Sequence, residues 1–263
     1  MNYEEALSYI NDQEKFGSNL RLDTIRKLLE LLGNPHKDLK CIHIAGTNGK
    51  GSTSSYIATM LKEAGYKVGL FTSPYLERFN ERIAINGEDI PNGRLAEITE
   101  KVKDKIEIMI QKEYEHPTTF EIVTAIGFVY FKEEKVDYVV LEVGLGGRLD
   151  ATNVIDECLL SIITTIDYDH MDVLGNTLGE IAYEKAGIIK ERGLVLSYPQ
   201  KEEAIEVIEK VCEERKAELT ICPMENVKII ELNEYGGIFD YHYNNTAFKN
   251  LEISLIGEHQ VYN

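Results

Sequence analysis

A glycine-rich segment with one lysine, residues 46–52, could bind phosphate. It follows an apolar stretch that predicts a buried strand at 41–45, and it precedes a predicted helix at 52–64. Glycine lets backbone N–H groups approach an anion, a helix N-terminus favours negative charge, and Lys50 adds a full positive charge. The alternative is a strand-to-helix turn whose lysine simply lies on the surface.

The segment departs from the common phosphate-loop pattern G-x-x-x-x-G-K-[ST]. Ile44 stands where that pattern has its first glycine, and Gly51 separates Lys50 from Ser52. No kinase or GTPase signature follows the segment. Those two classes are therefore the least favoured among the phosphate-binding alternatives.

Chemically active side chains also occur near the ends of other predicted elements. Glu142 lies near the end of an apolar strand predicted at 137–143, and it is a candidate Mg²⁺ ligand because magnesium prefers hard oxygen ligands. Its alternative role is to pair with a neighbouring basic group. His170 follows a strand predicted at 159–166, and it is either a metal ligand or a polar loop residue. Lys185 is, on composition alone, an ordinary helix lysine.

Strands and helices alternate up to about residue 222, which predicts a doubly wound, mostly parallel α/β sheet. Ligands of such sheets bind beyond the carboxyl ends of the strands, where the glycine-rich segment, Glu142 and His170 would converge. Residues 15–19 and 72–87 are predicted to be loops, the second one long enough to be functional. Strand-like stretches without a long helix predict a small antiparallel segment at about 224–256.

Several helices begin at recognisable positions. Three polar residues are each followed three positions later by glutamate, which is typical of an N-cap: Asn2 with Glu5, Thr118 with Glu121, and Thr177 with Glu180. The helix predicted at 120–131 is apolar nearly all round, so we expect it to be buried.

Composition narrows the functional classes. The net charge is −17, from 28 basic and 45 acidic residues, which argues against nucleic acid as a partner. No apolar run approaches the roughly 20 residues that span a membrane, and no secretory signal opens the sequence. The four cysteines have neither metal nor disulfide spacing, which predicts the reducing cytoplasm.

Motifs along the whole chain resemble the folylpolyglutamate synthase and dihydrofolate synthase family, which belongs to the Mur ligase superfamily. The similar segments occur in the family's order at 43–53, 71–83, 119–121, 141–153, 169–170, 184–188 and 257–263. The family's loop has the same Lys-Gly-Ser sequence, which accounts for the departure from the common phosphate-loop pattern.

The resemblance implies roles for individual residues. It implies that the ATP phosphates lie on Gly46, Thr47, Asn48, Gly49, Lys50, Gly51 and Ser52, and that Asn263 contacts the adenine. It implies Mg²⁺ ligation by Ser73, Glu142 and His170, with a carbamylated Lys185 near a second Mg²⁺. The residues implied in catalysis are Lys50, His170 and Lys185, and those implied in pterin binding are Thr118, Phe120 and Asp150.

The function implied by the resemblance is an ATP-dependent ligase that joins glutamate to folate or dihydropteroate through an acyl phosphate. Two alternatives stay open: a ligase that adds amino acids to a UDP-linked peptidoglycan precursor, and a non-catalytic ATP-binding module. Family members are longer and carry a C-terminal domain that binds glutamate. We therefore expect residues 1–263 to be the N-terminal ATP-binding domain, to bind ATP weakly and to form no amide bond alone.

Overall fold

A computed structural model describes residues 1–16 and 21–263 of the chain. Within these residues the main sheet has eight strands in the order β4-β3-β2-β5-β1-β6-β7-β8. The strands are β1 (Cys41–Ala45), β2 (Val68–Phe71), β3 (Ile83–Ile85), β4 (Glu88–Asp89), β5 (Tyr138–Glu142), β6 (Leu160–Ile163), β7 (Leu194–Ser197) and β8 (Glu218–Ile221). All neighbouring strands pair in parallel except the antiparallel β3 and β4 at one edge.

The strands are connected mainly by helices. These are α1 (Tyr3–Asn11), α2 (Asp23–Leu31), α3 (Lys50–Glu63), α4 (Asn92–Gln111), α5 (Thr119–Glu133), α6 (Met171–Leu174), α7 (Leu178–Ala186), α8 (Glu202–Arg215) and α9 (Glu258–Tyr262). Short 3-10 helices lie at Asp12–Phe16, Pro35–Asp38, Phe79–Arg82, Ala151–Val154 and Met224–Asn226. Asn2, Thr118 and Thr177 cap α1, α5 and α7 as predicted. In the described part of the chain, every helix is too short or too polar to cross a membrane.

Helices cover both faces of the main sheet, which confirms the doubly wound fold. Successive side chains of a strand point to opposite faces, so each strand contributes to two cores. On one face Ile57 and Leu61 of α3 pack against Ile44. On the other face α1, α2, α4 and α5 enclose a core that contains Phe71 and Leu141, and α7 and α8 extend it.

A second, smaller sheet follows the main one. Its strands β9 (Val227–Asn233), β10 (Gly236–Tyr243) and β11 (Thr246–Ile253) pair antiparallel in the order β11-β10-β9. This confirms the predicted antiparallel segment. α9 packs beside β9 and β10 and brings the last residues of the sequence back toward the main sheet.

The prediction of one continuous loop at 72–87 was wrong. A 3-10 helix occupies Phe79–Arg82, and β3 follows it directly. Ile83 and Ile85 are buried in the core, and β3 pairs with β2. Burial of these isoleucines stabilises an edge hairpin that the polar sequence around them conceals.

Two boundaries also differ from the prediction. Residues 12–16 form a 3-10 helix where a loop was predicted from residue 15, and residues 17–19 of that loop lie outside the described residues. The helix α3 begins at Lys50 instead of residue 52. Lys50 is therefore the first helical residue, at the end of the helix where the macrodipole is positive.

Candidate active site

The glycine-rich segment joins β1 to α3 at the carboxyl edge of the main sheet. Gly49 has a φ of 83°, in the left-handed region that favours glycine, and it precedes the first turn of α3. A Cβ atom on Gly46 would lie 1.8 Å from Thr164 Oγ1, so no larger residue fits there. The loop therefore requires glycine at both positions.

Hydrogen bonds to the segment that follows β6 hold this loop in place. Thr47 N donates to Thr165 O at 2.7 Å, and Thr47 Oγ1 donates to Asp167 O at 3.0 Å. Thr165 Oγ1 donates to Asn48 O at 3.2 Å. The ends of two neighbouring parallel strands thus fix the loop's shape before any ligand binds, which lowers the ordering cost of binding.

Lys50 folds back over the loop that precedes it. Its Nζ donates to Gly46 O at 3.0 Å and to Thr47 O at 3.1 Å. Both partners are neutral carbonyl groups. The positive charge of Lys50 consequently remains available to an anion that enters the loop.

Glu142 is the last residue of β5 and lies beside the start of α3, at the strand end as predicted. Its Oε2 accepts a hydrogen bond from Ser73 N at 3.2 Å, and a Cβ on Gly51 would lie 3.7 Å from that oxygen. Burial raises the pKa of Glu142 to about 7, although the Ser73 N–H group and Lys50 lower it. Among the ion pairs of the described residues none includes Glu142, so it does not have the basic partner that was considered as an alternative.

Lys185 on α7 is one of the most deeply buried side chains. It is 2% exposed, and its Nζ donates to Gly46 O at 2.9 Å. Burial lowers the pKa of Lys185 to about 8, and the charge of Lys50 lowers it further while Asp169 opposes the shift. The structure therefore gives Lys185 a place in the site that its sequence context alone does not indicate.

His170 stands at the start of α6 in a left-handed conformation with a φ of 42°. Its side chain is 60% exposed, and its Nε2 lies 3.5 Å from Asp169 Oδ1. His170 lines a small cleft together with Gly46, Lys50 and Lys185. The structure thus brings the three residues implied in catalysis to one place.

The surroundings of Glu142 offer oxygen donors to a divalent cation. Glu142 is a buried carboxylate without a basic partner, so a nearby cation would stabilise its charged form. Ser73 is its direct neighbour. Across residues 1–16 and 21–263, however, no three His, Cys, Asp or Glu side chains are grouped as a metal site. The arrangement suits Mg²⁺, which takes few protein ligands and completes its shell with phosphate oxygens and water.

Phe120 and Asp150 meet at Gly144, in the loop that follows β5. A Cβ on Gly144 would lie 2.5 Å from Phe120 Cζ, so the ring rests directly on the backbone. Asp150 Oδ2 accepts hydrogen bonds from Gly144 N at 3.0 Å and from Leu145 N at 2.9 Å. Asp150 is only 4% exposed. Its carboxylate therefore shapes the loop, and its contact with a substrate remains a prediction.

Thr118 is the N-cap of α5. Glu121 N donates to its Oγ1 at 3.3 Å, and Thr118 N donates to Glu121 Oε2 at 2.7 Å. This reciprocal pair holds the start of the helix that carries Phe120. The predicted contact between Thr118 and a pterin is a separate role that these bonds do not exclude.

Asn263 lies against the glycine-rich segment. Its backbone oxygen accepts a hydrogen bond from Thr53 Oγ1 at 3.3 Å, and its Nδ2 donates to Gln260 Oε1 at 3.0 Å. A Cβ on Gly49 would lie 2.5 Å from Asn263 Oδ1. Ser52 belongs to the same first turn of α3 as Thr53. The structure thus places Asn263 beside the predicted phosphate loop.

A buried polar chain beneath the Gly144 loop was not predicted. His43 on β1 is fully buried, and its Nε2 lies 2.8 Å from Thr152 Oγ1. That hydroxyl donates its only proton to Asp150 Oδ1, so it must accept from His43, whose proton is therefore on Nε2. Burial lowers the pKa of His43 well below its ordinary value, which keeps the ring neutral. The available signal was one histidine within an otherwise apolar strand.

Comparison with known proteins places these features in a family. The sequence pattern of the Mur ligase middle domain matches residues 44–263. This range includes the glycine-rich segment from Gly46 onward and every residue of the cleft. His43 lies just outside it.

Similar proteins are known by sequence and by structure. A dihydrofolate synthase/folylpolyglutamate synthase of Bacillus subtilis (strain 168) is 44% identical over 99% of this chain and 61% of its own length. A folylpolyglutamate synthase of Lacticaseibacillus casei is 38% identical over 100% of this chain and 62% of its own length. The structure of an FPGS–AMPPCP–folate complex matches with a TM-score of 0.93 at 35% identity, covering 99% of this chain and 64% of that one. The chain thus spans about three fifths of the length of these relatives.

Proposed function

The chain belongs to the Mur ligase middle domain family, and from that premise we propose that it is the ATP-binding part of a carboxylate–amine ligase. The substrates would be ATP, glutamate and either folate or dihydropteroate, because the similar proteins are folylpolyglutamate and dihydrofolate synthases. The observation that carries the proposal is the convergence of Lys50, Glu142 and Lys185 on the glycine-rich segment 46–52.

The loop would bind the phosphates of ATP. Its glycines expose backbone N–H groups, the start of α3 favours negative charge, and Lys50 can exchange its carbonyl partners for a phosphate oxygen. A local site is needed because the chain as a whole carries a net charge of −17 and repels anions. The similar structure in complex with AMPPCP supports this assignment.

The proposed reaction has two steps. A carboxylate oxygen of the substrate attacks the γ-phosphorus of ATP, the bond to the bridging oxygen breaks, and ADP leaves. The neutral amine of glutamate then attacks the acyl phosphate: its nitrogen bonds to the carbonyl carbon and loses one proton, the bond from that carbon to the phosphate oxygen breaks, and phosphate leaves with that proton. The first step brings an anionic carboxylate to an anionic phosphoryl group, and the second requires a positioned amine, so charge neutralisation and positioning matter more than a protein nucleophile.

Ser73, Glu142 and His170 would hold Mg²⁺ at the edge of the cleft. A bound magnesium ion supplies positive charge that screens the phosphates from the substrate carboxylate. Glu142 contributes a buried oxygen ligand. The backbone N–H group of Ser73 donates a hydrogen bond to Glu142 and so keeps Ser73 next to it. His170 is exposed at the mouth of the same cleft that contains Lys185.

Lys185 would carry a carbamate. Its lowered pKa leaves a larger share of the amine neutral near physiological pH, and only the neutral amine attacks CO₂. The ammonium group first loses one proton; the neutral nitrogen then bonds to the carbon of CO₂ and a second proton is released, so a buried cation becomes an anion. That change suits a position beside bound magnesium, which a lysine ammonium group would repel.

Phe120, with Thr118 and Asp150, would form the pterin side of the site. The ring of Phe120 packs on Gly144, and the Gly144 loop continues directly from Glu142. A flat heterocycle bound against Phe120 would therefore lie close to the proposed magnesium ligand. The similar structure solved with folate supports folate as a ligand, and the contact with Phe120 is our proposal.

The two alternatives can be separated by the acceptor that is used. Relatives similar over 99% and 100% of the chain are folate enzymes, which favours folate over a UDP-linked peptidoglycan precursor. A non-catalytic module would bind ATP without turning it over. The predicted cytoplasmic location remains a prediction.

An acceptor-dependent assay tests the proposed function. The chain is incubated with ATP, magnesium and hydroxylamine, together with dihydropteroate, a reduced folate or a UDP-linked peptide acid. Hydroxylamine converts an acyl phosphate into a stable hydroxamate. We expect ADP and hydroxamate to form only with a pterin acid, and Lys50→Ala to abolish both.

Two other results would contradict the proposal. Hydroxamate formation with the UDP-linked acid alone would assign the chain to the peptidoglycan branch. ATP binding without any product, even when the remaining part of a relative is supplied, would identify a non-catalytic module. The amide bond that we do not expect from this chain alone is measured in the same reaction with glutamate in place of hydroxylamine.

A further inference from the structure

Arg82 lies at the same sheet edge as Ser73 but has no role in the proposed function. It is the last residue of the 3-10 helix Phe79–Arg82, directly before β3. Thr72 N donates to Arg82 O at 3.0 Å, so Arg82 is held opposite the end of β2. The residue after Thr72 is Ser73, whose N–H group contacts Glu142.

The guanidinium of Arg82 lies beside two adjacent aromatic rings, whose centres are 6.0 Å apart. Its Cζ is 5.1 Å from the centre of the Tyr75 ring and 5.9 Å from that of Phe79. Such rings stabilise a cation and fix the plane of the guanidinium. Phe79 is buried in the core, whereas Tyr75 is exposed. Arg82 is itself half-buried, so its guanidinium lies at the border between the core and the solvent.

Within the described residues the charge of Arg82 has no anionic partner. Its Nε is buried without a hydrogen-bond partner, and no ion pair includes it. Burial lowers the pKa of Arg82, the direction expected for a cation that has lost part of its hydration. By contrast, Arg94 bonds to Glu97 and Glu133, and Arg148 bonds to Glu184.

Other described arginines without an ion pair, such as Arg26 and Arg192, are exposed, whereas Arg82 is partly buried. Acidic residues outnumber basic ones by 45 to 28, so carboxylates are abundant. A partly buried cation without a partner is destabilising, and groups of this kind concentrate at functional sites. The most direct explanation is that the partner of Arg82 belongs to a ligand.

We infer that Arg82 binds an oxyanion of a ligand at the Ser73 side of the cleft, either the carboxylate of the acceptor acid or the terminal phosphoryl group of ATP. Both anions present two oxygen atoms to the planar fork of a guanidinium. The inference rests on the proposed function for the identity of the ligand. The existence of an anion site is inferred from the contacts of Arg82 alone.

The first experiment observes the guanidinium directly, without assuming the function. The Arg82 Nε–H resonance is identified by its loss in Arg82→Lys, and inorganic phosphate or benzoate is titrated against the chain at constant ionic strength. We expect a saturable shift of this resonance, while chloride at the same ionic strength leaves it unchanged. If neither phosphate nor benzoate gives a saturable shift, the inference is overturned, even if the chain binds ATP.

The second experiment identifies which oxyanion is bound. Calorimetry compares Arg82→Gln with Arg78→Gln, a control that removes the same charge from an exposed residue of the same segment. We expect Arg82→Gln to lose about tenfold or more in affinity and the control to change by less than about twofold. A loss for ATP but not ADP assigns the phosphoryl group, and a loss for dihydropteroate but not its neutral amide assigns the carboxylate. Equal effects of the two substitutions would overturn the inference.

A stability measurement separates a ligand-binding role from a structural one. Arg82→Met keeps an apolar stem beside the two rings and removes the charge. In the absence of ligand we expect its midpoint in urea to equal or exceed that of the unmodified chain. A clearly lower midpoint would mean that Arg82 holds the fold, and it would count against a charge kept for a ligand.

Discussion

Lys185 Nζ lies 2.9 Å from the carbonyl oxygen of Gly46, although 139 positions separate the two residues. The bond connects α7 to the loop that precedes α3. Because Lys185 is 2% exposed, its charge state is controlled by the site and not by bulk water. The first prediction concerns the chemical state of this amine.

We predict that Lys185 is carbamylated when CO₂ is available. Its pKa of about 8 leaves part of the amine neutral at neutral pH. At a fixed concentration of dissolved CO₂ the carbamate should increase as the pH rises through about 8. The measurement is carbon-13 NMR of the chain in labelled bicarbonate.

The control for this experiment is a second lysine. Lys62→Met removes an exposed lysine from α3 and should leave the carbamate signal unchanged, whereas Lys185→Met should remove it. A signal that survives in Lys185→Met would assign the modification elsewhere. No signal at any pH would leave Lys185 as an unmodified amine and contradict the prediction.

Glu142→Gln should stabilise the metal-free chain at neutral and higher pH. The folded-state pKa of Glu142 is raised from 4.5 to about 7, so the folded chain binds more protons than the unfolded chain between these values. The contribution of Glu142 to stability is therefore fully present below pH 4.5 and is lost as the pH rises through about 7. Ionisation of Glu142 lowers the free energy of unfolding by about 3 kcal/mol, and Glu142→Gln should not show this loss because its amide does not ionise.

Urea unfolding at several pH values, with and without magnesium, checks this prediction. Glu213→Gln is the control, because it removes the charge of an exposed glutamate on α8. Magnesium with ATP should stabilise the unmodified chain more than Glu142→Gln. Equal pH dependence in the chain and in Glu142→Gln would show that this carboxylate does not carry a raised pKa.

His43 and Thr152 should behave as one unit. His43 Nε2 donates to Thr152 Oγ1; loss of the hydroxyl leaves Nε2 buried without a partner, and loss of His43 leaves the hydroxyl with Asp150 alone. We expect His43→Leu and Thr152→Val each to lower the free energy of unfolding by about 1–3 kcal/mol. The double variant should be less destabilised than the sum, by about 0.5–3 kcal/mol.

His43→Gln provides the matched control, because its amide nitrogen can still donate to the hydroxyl group. It should therefore be less destabilising than His43→Leu. Nitrogen-15 NMR should show the proton of His43 on Nε2 and none on Nδ1. Strictly additive single effects, or a proton on Nδ1, would refute the assigned network.

The main features of the fold follow from local signals in the sequence. Glu142 could be placed at a strand end because four apolar residues surround it without a polar alternation. Helix starts at Asn2, Thr118 and Thr177 were predictable because an N-cap depends only on residues three positions apart. The antiparallel segment was predictable from turn residues such as Asn244.

The edge hairpin was not predictable in the same way. Ile83 and Ile85 are separated by one alanine, and the surrounding charged residues indicate a loop. Their burial depends on α4 and α5, which come later in the sequence and cover that edge. The local sequence pattern carries no information about helices from later in the chain that pack over this edge.

The electrostatic properties of the site also could not be predicted from the sequence. The sequence around Lys185 is typical of an exposed helix. The burial of Lys185 is seen only in the structure, where α7 packs on the loop at Gly46. The same holds for Asp150, whose two oxygens are occupied by groups of its own loop. Motifs indicate which residue types are present, but only packing determines which charges lose their water.

The central claim is that the segment 46–52 binds the phosphates of ATP. The most direct measurement is calorimetric titration of magnesium and ATP into the chain, into Lys50→Ala and into Lys62→Ala, at one ionic strength. We predict that the chain and Lys62→Ala bind with the same affinity, whereas Lys50→Ala unfolds at the same urea concentration but shows no measurable binding. Unchanged affinity in Lys50→Ala would contradict the claim, because nucleotide would then be held without the one full positive charge that the segment contains.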